Sequence, residues 1–424
     1  MRYILFILAF ALVINVNCSR KLPWDNPLDP VNDLPPNVPA CISPPNDSLY
    51  IDNTVVLCWS CCFDQNQGDS VLYSIYVGTD DPPSTAVSIG RKDTTFTSTG
   101  LTPATRYYWK VEASDNHGNI SYSTVRTFTT NSLHLVGAYN ISGCNYHVIV
   151  RNNYAYVASE SGVWTIDITD PSQPRYSGYW YNGVYVTVRA IALKDNYLYA
   201  GDKNGIAVID ISSPSNPSTL GNMLLAGDVS NMALKGDTLV SANLSGGLRI
   251  VDVSNHSYPN EIGSFSTWSV VDARDVSVAE GITFVADGAA GVRFINISDT
   301  TGPYEAGHFT TAGSAYGVKV SGPYAFVADR DYGLRILNVA SLASPTEICH
   351  IVTPGLANGV SLHGQYAVIA SSSSFTVFDI SNPTMPFEKG RYYTTTPVYD
   401  VFIAGNYAYV ANGYSGLKII EILP

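Results

Sequence analysis

From residue 135 onward, apolar and polar residues alternate in short runs broken by Gly, Asn, Asp, Ser and Pro, and no stretch holds a helical spacing. The runs come in four kinds, in fixed order. The first reads V-x-V ahead of a polar turn: "VIVRNN", "IALKDN", "MALKGD", "VSVAEG", "VKVSGP", "VSLHGQ" and "VFIAGN". The second is like "YAYVA", the third like "GLRIVDV" and the fourth like "EIGSFS". Anchored on the second residue of "YAYVA", the copies fall at Ala155, Leu198, Leu239, Thr283, Ala325, Ala367 and Ala408. Their spacings are 43, 41, 44, 42, 42 and 41 residues. Alternation of period two predicts strands, and four strands per copy predict one small sheet repeated seven times.

Each twisted sheet has two apolar faces and hides them only against its neighbours, so the copies must form a ring. The pattern therefore predicts an all-β chain with a seven-bladed β-propeller over 133–424. The last copy, "NYAYVANGYSGLKIIEI", stops after its third strand. "LVGAY" at 135–139 aligns with "YSGYW", "EIGSF", "EAGHF" and "EKGRY", yet precedes the first copy's opening strand. It is predicted to lie beside 416–422 as the missing fourth strand, closing the ring and removing a free sheet edge. "GLRIVDV", "GIAVIDI" and "GLKIIEI", with the turns "DISSPSNP" and "DISNPTMP", resemble the LVIVD-repeat family. That resemblance implies a propeller, often envelope-associated, and no common reaction. Asn296 and Asn338 stand where the family's turn has Asp, which predicts two weaker turns.

Residues 36–131 alternate as well: "VVLCWSC", "VLYSIYVGT", "GLTPATRYYWKVEASD" and "TVRTFTT". This segment resembles a fibronectin type III domain, a two-sheet β-sandwich. The resemblance implies that Trp59 is the anchor between sheets, Tyr108 the corner tyrosine and Val111 a core residue. Asp64, Asp69 and Asp115 are read as turn residues that satisfy the backbone, with a Ca²⁺ site as the less favoured alternative.

The N-terminus changes the picture of location. One Arg precedes the apolar run Ile4 to Ile14, too short to span a bilayer and suited to a signal peptide over 1–17. Val16-Asn17-Cys18 resembles a bacterial lipoprotein box, which implies export, lipidation of Cys18 and a place in the cell envelope; plain secretion is the alternative. Residues 18–35, rich in Pro, Asp and Asn, read as a tether. Of the six remaining cysteines, one disulfide involving Cys41 is expected, with the others buried as small apolar residues. A zinc site at Cys41, Cys58, Cys61 and Cys62 is disfavoured, because Cys58 and Cys62 on one strand would stand about 13 Å apart.

Composition argues by exclusion. Lys and Arg total 23 and the net charge is −12, which opposes nucleic acid and an electrostatic hold on anionic membranes. No catalytic, metal-binding or phosphate-cradling motif occurs, and the reading includes no cofactor and no metal. Asp202, Asn243, Asp287, Asp329 and Asn412 follow the second strands and are read as turn formers, as are Asp167, Asp210, Asp252 and Asp379 after the third. A more distinctive column precedes each inner strand: Tyr146, Arg189, Ser230, Arg274, Tyr316, Asn358 and Tyr399. His147, Asn231, Asp275 and Asp400 run beside it, and Trp268, Arg330 and Tyr332 lie on nearby loops. Tyr, Trp and Arg dominate binding hot spots, and aromatic faces stack on sugar rings. The expected site is thus the channel mouth, binding an envelope protein or a glycan without chemistry. The alternatives are a polysaccharide hydrolase or lyase using Asp275, Asp400 and His147, and a structural scaffold.

Overall fold

The computed structural model describes residues 34–64, 70–181, 187–266 and 272–423. The signal segment, Cys18 and nearly all of the tether lie outside the described residues. No helix occurs among the described residues, and the chain divides into two compact units after Asn131.

Among the described residues the first unit holds two sheets. One has three strands, Cys41–Ser43, Val55–Trp59 and Thr95–Ser98; the other has Ser48–Ile51, Arg126–Thr130, Arg106–Ser114, Leu72–Gly78 and Ala86–Arg91 in that order, with Ile120–Tyr122 beside Arg106–Ser114. Trp59 from the first sheet meets Tyr73 from the second edge to face, ring centroids 5.6 Å apart, and Trp59, Trp109 and Val111 are all buried. The tyrosine that bonds back to the upstream backbone is Tyr107, not the expected Tyr108. Its hydroxyl accepts a hydrogen bond from the Thr102 amide at 2.9 Å, and its ring stacks on Phe128. Parity is the reason: on an extended strand 107, 109 and 111 share the inward face, and Tyr108 points out beside Arg106.

The cysteines also differ from expectation. Cys41 is a buried free thiol, as are Cys62 and Cys144, whereas Cys61 is disulfide-bonded. The strand ends at Trp59, so Cys62 turns inward, where its amide donates to Tyr73 Oη at 2.7 Å and burial pushes its thiol up to about 11. Asp115 is a backbone-satisfying turn residue: it accepts from the amides of His117 at 2.8 Å and Asn119 at 2.9 Å. Burial would raise its carboxyl, but these hydrogen bonds outweigh it and hold the group below the ordinary range.

Among the described residues the second unit contains seven four-stranded antiparallel sheets. Their inner strands are Asn145–Arg151, Ala190–Lys194, Asn231–Lys235, Asp275–Ala279, Gly317–Ser321, Ala357–His363 and Asp400–Ala404. Each touches the next, and the last touches the first, an arrangement that fits a seven-bladed propeller. The apolar interior is correspondingly divided into seven cores, each built from two adjacent blades. The core between blades seven and one joins Tyr409, Leu417 and Ile419 to Val148, Val157 and Ile166.

Closure is made as the sequence predicts. Leu133–Tyr139 pairs antiparallel with Leu417–Ile422, from Leu133 opposite Ile422 to Tyr139 opposite Leu417. The turns after the third strands are local, as expected: Asp167, Asp210, Asp252 and Asp379 each accept from the amide two residues on, at 2.8, 2.8, 2.8 and 2.9 Å. Asn296 and Asn338 make the same bond at 2.9 and 3.0 Å, so these two blades keep the turn with a neutral acceptor.

The second Asx column is more than local. Asp202 accepts from Asn204, but Asn243, Asp287, Asp329 and Asn412 are buried and reach the linker arriving from the preceding blade. Asp329 accepts from Thr311 Oγ1 at 2.8 Å and Gly313 N at 3.1 Å, and Arg335 Nε lies 2.5 Å from it. Asp287 likewise accepts from the Asp272 amide and pairs with Arg293.

Candidate functional site

The leading ends of the inner strands and the turns between second and third strands share one rim, because an antiparallel neighbour ends where its partner begins. The rim column forms contacts that pass from blade to blade. Arg274 and Arg330 lie on the Tyr316 ring, 4.4 and 4.2 Å from its centroid. Arg330 Nη1 donates to Asn358 Oδ1 at 3.1 Å, and Asn358 Nδ2 donates to Val398 O at 3.2 Å. Tyr399, next in sequence, meets Tyr146 at 5.1 Å with a 55° tilt, and Arg189 sits 5.6 Å from the Tyr146 ring. The belt thus runs through blades four, five, six, seven, one and two; Ser230 contributes no ring or guanidinium to it.

Charge and burial shape this belt. Arg274 Nε is 2.9 Å from Asp272 Oδ1, an ion pair too bent to count as a hydrogen bond. Burial, then Cys144 and Glu160 nearby, pushes the Tyr146 phenol well up, and burial followed by Cys144 raises that of Tyr399. Both stay neutral donors. Each guanidinium on an aromatic face contributes about 0.5–2 kcal/mol, the upper value where water is excluded.

Not every predicted residue joins. Trp268 lies outside the described residues. Tyr332 packs on its own blade's Arg335, 5.1 Å away, and is 40 % exposed. Asp275 is only 4 % exposed and saturated: it accepts from the amides of Val276 and Val318 at 2.8 Å and from Lys319 Nζ at 2.8 and 2.9 Å. It fastens blade four to blade five. Asp400 does the same between blades seven and one, accepting from Val148 N at 3.1 Å, with His147 Nε2 at 3.6 Å.

Sequence reasoning missed Glu160 and Tyr414. Tyr414 Oη donates to Glu160 Oε1 at 3.1 Å, tying the rim turns of blades seven and one beside Tyr146 and Tyr399. Both lie in the turn after the second strand, so an aromatic or acid in that column was the available signal. Cys144, buried beneath the pair, was passed over as a packing residue.

Inside the rim lies an axial cavity of about 490 Å³ lined by all seven inner strands. Its surface is about equally polar and apolar, with His147, Asn231, Ser277, Lys319, Ser361 and Asp400 as the residues with polar side chains. The belt tyrosines are not part of this wall.

The family model described as LVIVD repeat matches seven times, over residues 142–180, 187–224, 226–267, 272–311, 312–353, 354–394 and 397–422. The chain belongs to the LVIVD-repeat family. Each match spans one blade, and the last is short because the closing strand of that LVIVD repeat lies ahead of the first. No curated protein matches. Among solved structures, the computationally designed Ika8 protein is similar at 12 % identity and a TM-score of 0.52, over 68 % of this chain and 99 % of that one. At such identity the likeness concerns the fold alone.

Proposed function

We propose that the LVIVD ring is a non-enzymatic recognition head that binds an envelope protein or a glycan at its belted rim. In this reading residues 1–17 direct export, Cys18 carries a lipid, 18–35 is the tether and 36–131 is a fibronectin type III-like spacer. The buried Trp59 between two sheets and the Tyr107 bond to Thr102 support that spacer assignment. The observation that carries the head's role is the belt itself. Tyr316 with two guanidiniums over its ring, and Tyr146 tilted against Tyr399, form a preorganised aromatic and cationic surface of the kind that supplies binding hot spots.

A polysaccharide-cleaving reading is less well supported. It needs two carboxyl groups facing one bond, about 5–10 Å apart. Asp275 spends both oxygens on Val276, Val318 and Lys319, in blades four and five, whereas Asp400 and His147 belong to blades seven and one. The test is capture by the full chain from an envelope extract and on a glycan array. Binding should vanish in Arg274→Ala and Tyr316→Ala; binding intact in both variants would remove the rim from consideration.

A further inference from the structure

We propose that the axial cavity is a second site, for a small, uncharged, hydroxyl-rich molecule of monosaccharide size. It stands apart from the rim belt and does not depend on it. The volume, about 490 Å³, falls within the roughly 300–1,000 Å³ of small-molecule sites. Seven strands from seven blades make the wall, so the shape exists before any ligand arrives and little ordering cost remains.

The wall's chemistry selects the ligand class. Lys319 is the only Lys or Arg lining the cavity among the described residues, and its ammonium is committed to both oxygens of Asp275 and to Val318 O at 3.2 Å. An anion would therefore meet no uncommitted Lys or Arg, and would face the Asp400 carboxylate. The hydrogen-bonding capacity left over includes donors and acceptors, with the Asp400 carboxylate as its anionic member. Asn231 Oδ1 accepts from the Met232 amide at 2.6 Å, which leaves its NH₂ group as a donor. Ser361 Oγ has no hydrogen-bond partner among the described residues and is able to donate and accept. Asp400 Oδ2 serves Val148 N, leaving Oδ1 as an acceptor. Hydroxyl groups, each donor and acceptor at once, match this mixture, and the CH face of a sugar ring or cyclitol matches the apolar wall between.

The experiment titrates the full chain with methyl β-D-glucopyranoside, myo-inositol and sodium glucuronate, read by saturation-transfer NMR and by ligand-induced shift of Tm. At least one neutral probe should saturate, and glucuronate should bind at least about tenfold more weakly, because the site's fixed polar groups are left mismatched. Ser361→Leu, which fills the cavity from its wall, should cost at least about tenfold in affinity for the neutral probe. If that variant fails to fold, Ser361→Ala replaces it and should weaken binding about fivefold through the lost hydroxyl. No saturation by either neutral probe up to about 50 mM, a range far weaker than useful affinity, overturns the site. So does glucuronate binding as tightly as the neutral probes. Loss of binding in Tyr316→Ala with Ser361→Leu unaffected would place the sugar on the rim, defeating this inference and leaving the rim reading in force.

Discussion

Adding one methyl group at Gly137 should loosen the closed ring. Gly137 sits at the irregular step of the closing strand, opposite Ile419. A Cβ there would stand 2.1 Å from Pro171 O and 3.0 Å from Pro174 Cδ, in the turn after blade one's third strand. The contact is with backbone, so the strand or the turn must shift by more than an ångström to reach ordinary contact at 3.4 Å. Gly178, Gly221, Gly263 and Gly307 occupy the same place in four other blades, each facing a backbone oxygen of the next blade at 2.3, 2.7, 1.8 and 1.9 Å. Their φ is not positive, so close approach and not backbone conformation selects glycine. Overpacking of this kind costs about 1–3 kcal/mol. At about 2–4 °C per kcal/mol for a unit of this size, Tm should fall by roughly 2–12 °C in Gly137→Ala. Gly302→Ala is the control, since its nearest atom would be 3.5 Å away and its φ is unstrained; it should leave Tm level or raise it slightly. Calorimetry on the two variants decides, and equal Tm values would refute the interblade packing described here.

Three further outcomes follow from the same geometry. Hydrogen bonds from Thr169, Ser212, Ser254 and Ser381 hold the carboxyls of Asp167, Asp210, Asp252 and Asp379 below the ordinary range. Because the folded values are depressed, their contribution is present above the unfolded value, about 3.9, and is lost as pH falls through the folded values; Tm measured from pH 7 to 3 should drop below about pH 4, and Asp379→Asn should flatten part of that slope. Arg335→Met should cost about 3–5 kcal/mol in denaturant unfolding, because it strands the fully buried Asp329; adding Asp329→Asn should restore part, as Asn243 and Asn412 hold that column in other blades. Tyr107→Phe should destabilise by about 0.5–1.5 kcal/mol through the lost bond to Thr102, whereas Tyr108→Phe should be silent in the same assay.

The ring was legible because its information is local and repeated. Each V-x-V run, each "YAYVA" phrase and the orphan "LVGAY" carry their own strand, and the missing fourth strand of the last copy leaves one place for that orphan. Turn residues such as Asp210 were equally legible, since their partners lie two residues away. The rim was legible as residue types but not as contacts. Arg274 on Tyr316, or Tyr146 on Tyr399, joins positions one blade or the whole ring apart, and no local rule supplies that pairing. Asp275 shows the consequence: a carboxylate suited to acid–base work in sequence is spent on Val318 and Lys319 of the following blade. Tyr108 was avoidable, because Val111 facing inward already fixes Tyr107 on the same face.

The central claim is that 133–139 completes the last blade, and a cross-link tests it most directly. Ala138 pairs with Lys418 across the seam, so Ala138→Cys with Lys418→Cys should oxidise to a disulfide identified by peptide mass spectrometry. Directly opposed residues stand about 4.5–5.5 Å apart, within disulfide reach. Closing so long a loop should raise Tm, by an amount corresponding to about 2–4 kcal/mol. A failure of these two thiols to join, under conditions where Ala138→Cys pairs instead with a cysteine placed at Thr346 or Asn260, the first residues of the outer strands Thr346–Ile351 and Asn260–Phe265 of two other blades, would contradict the closed ring.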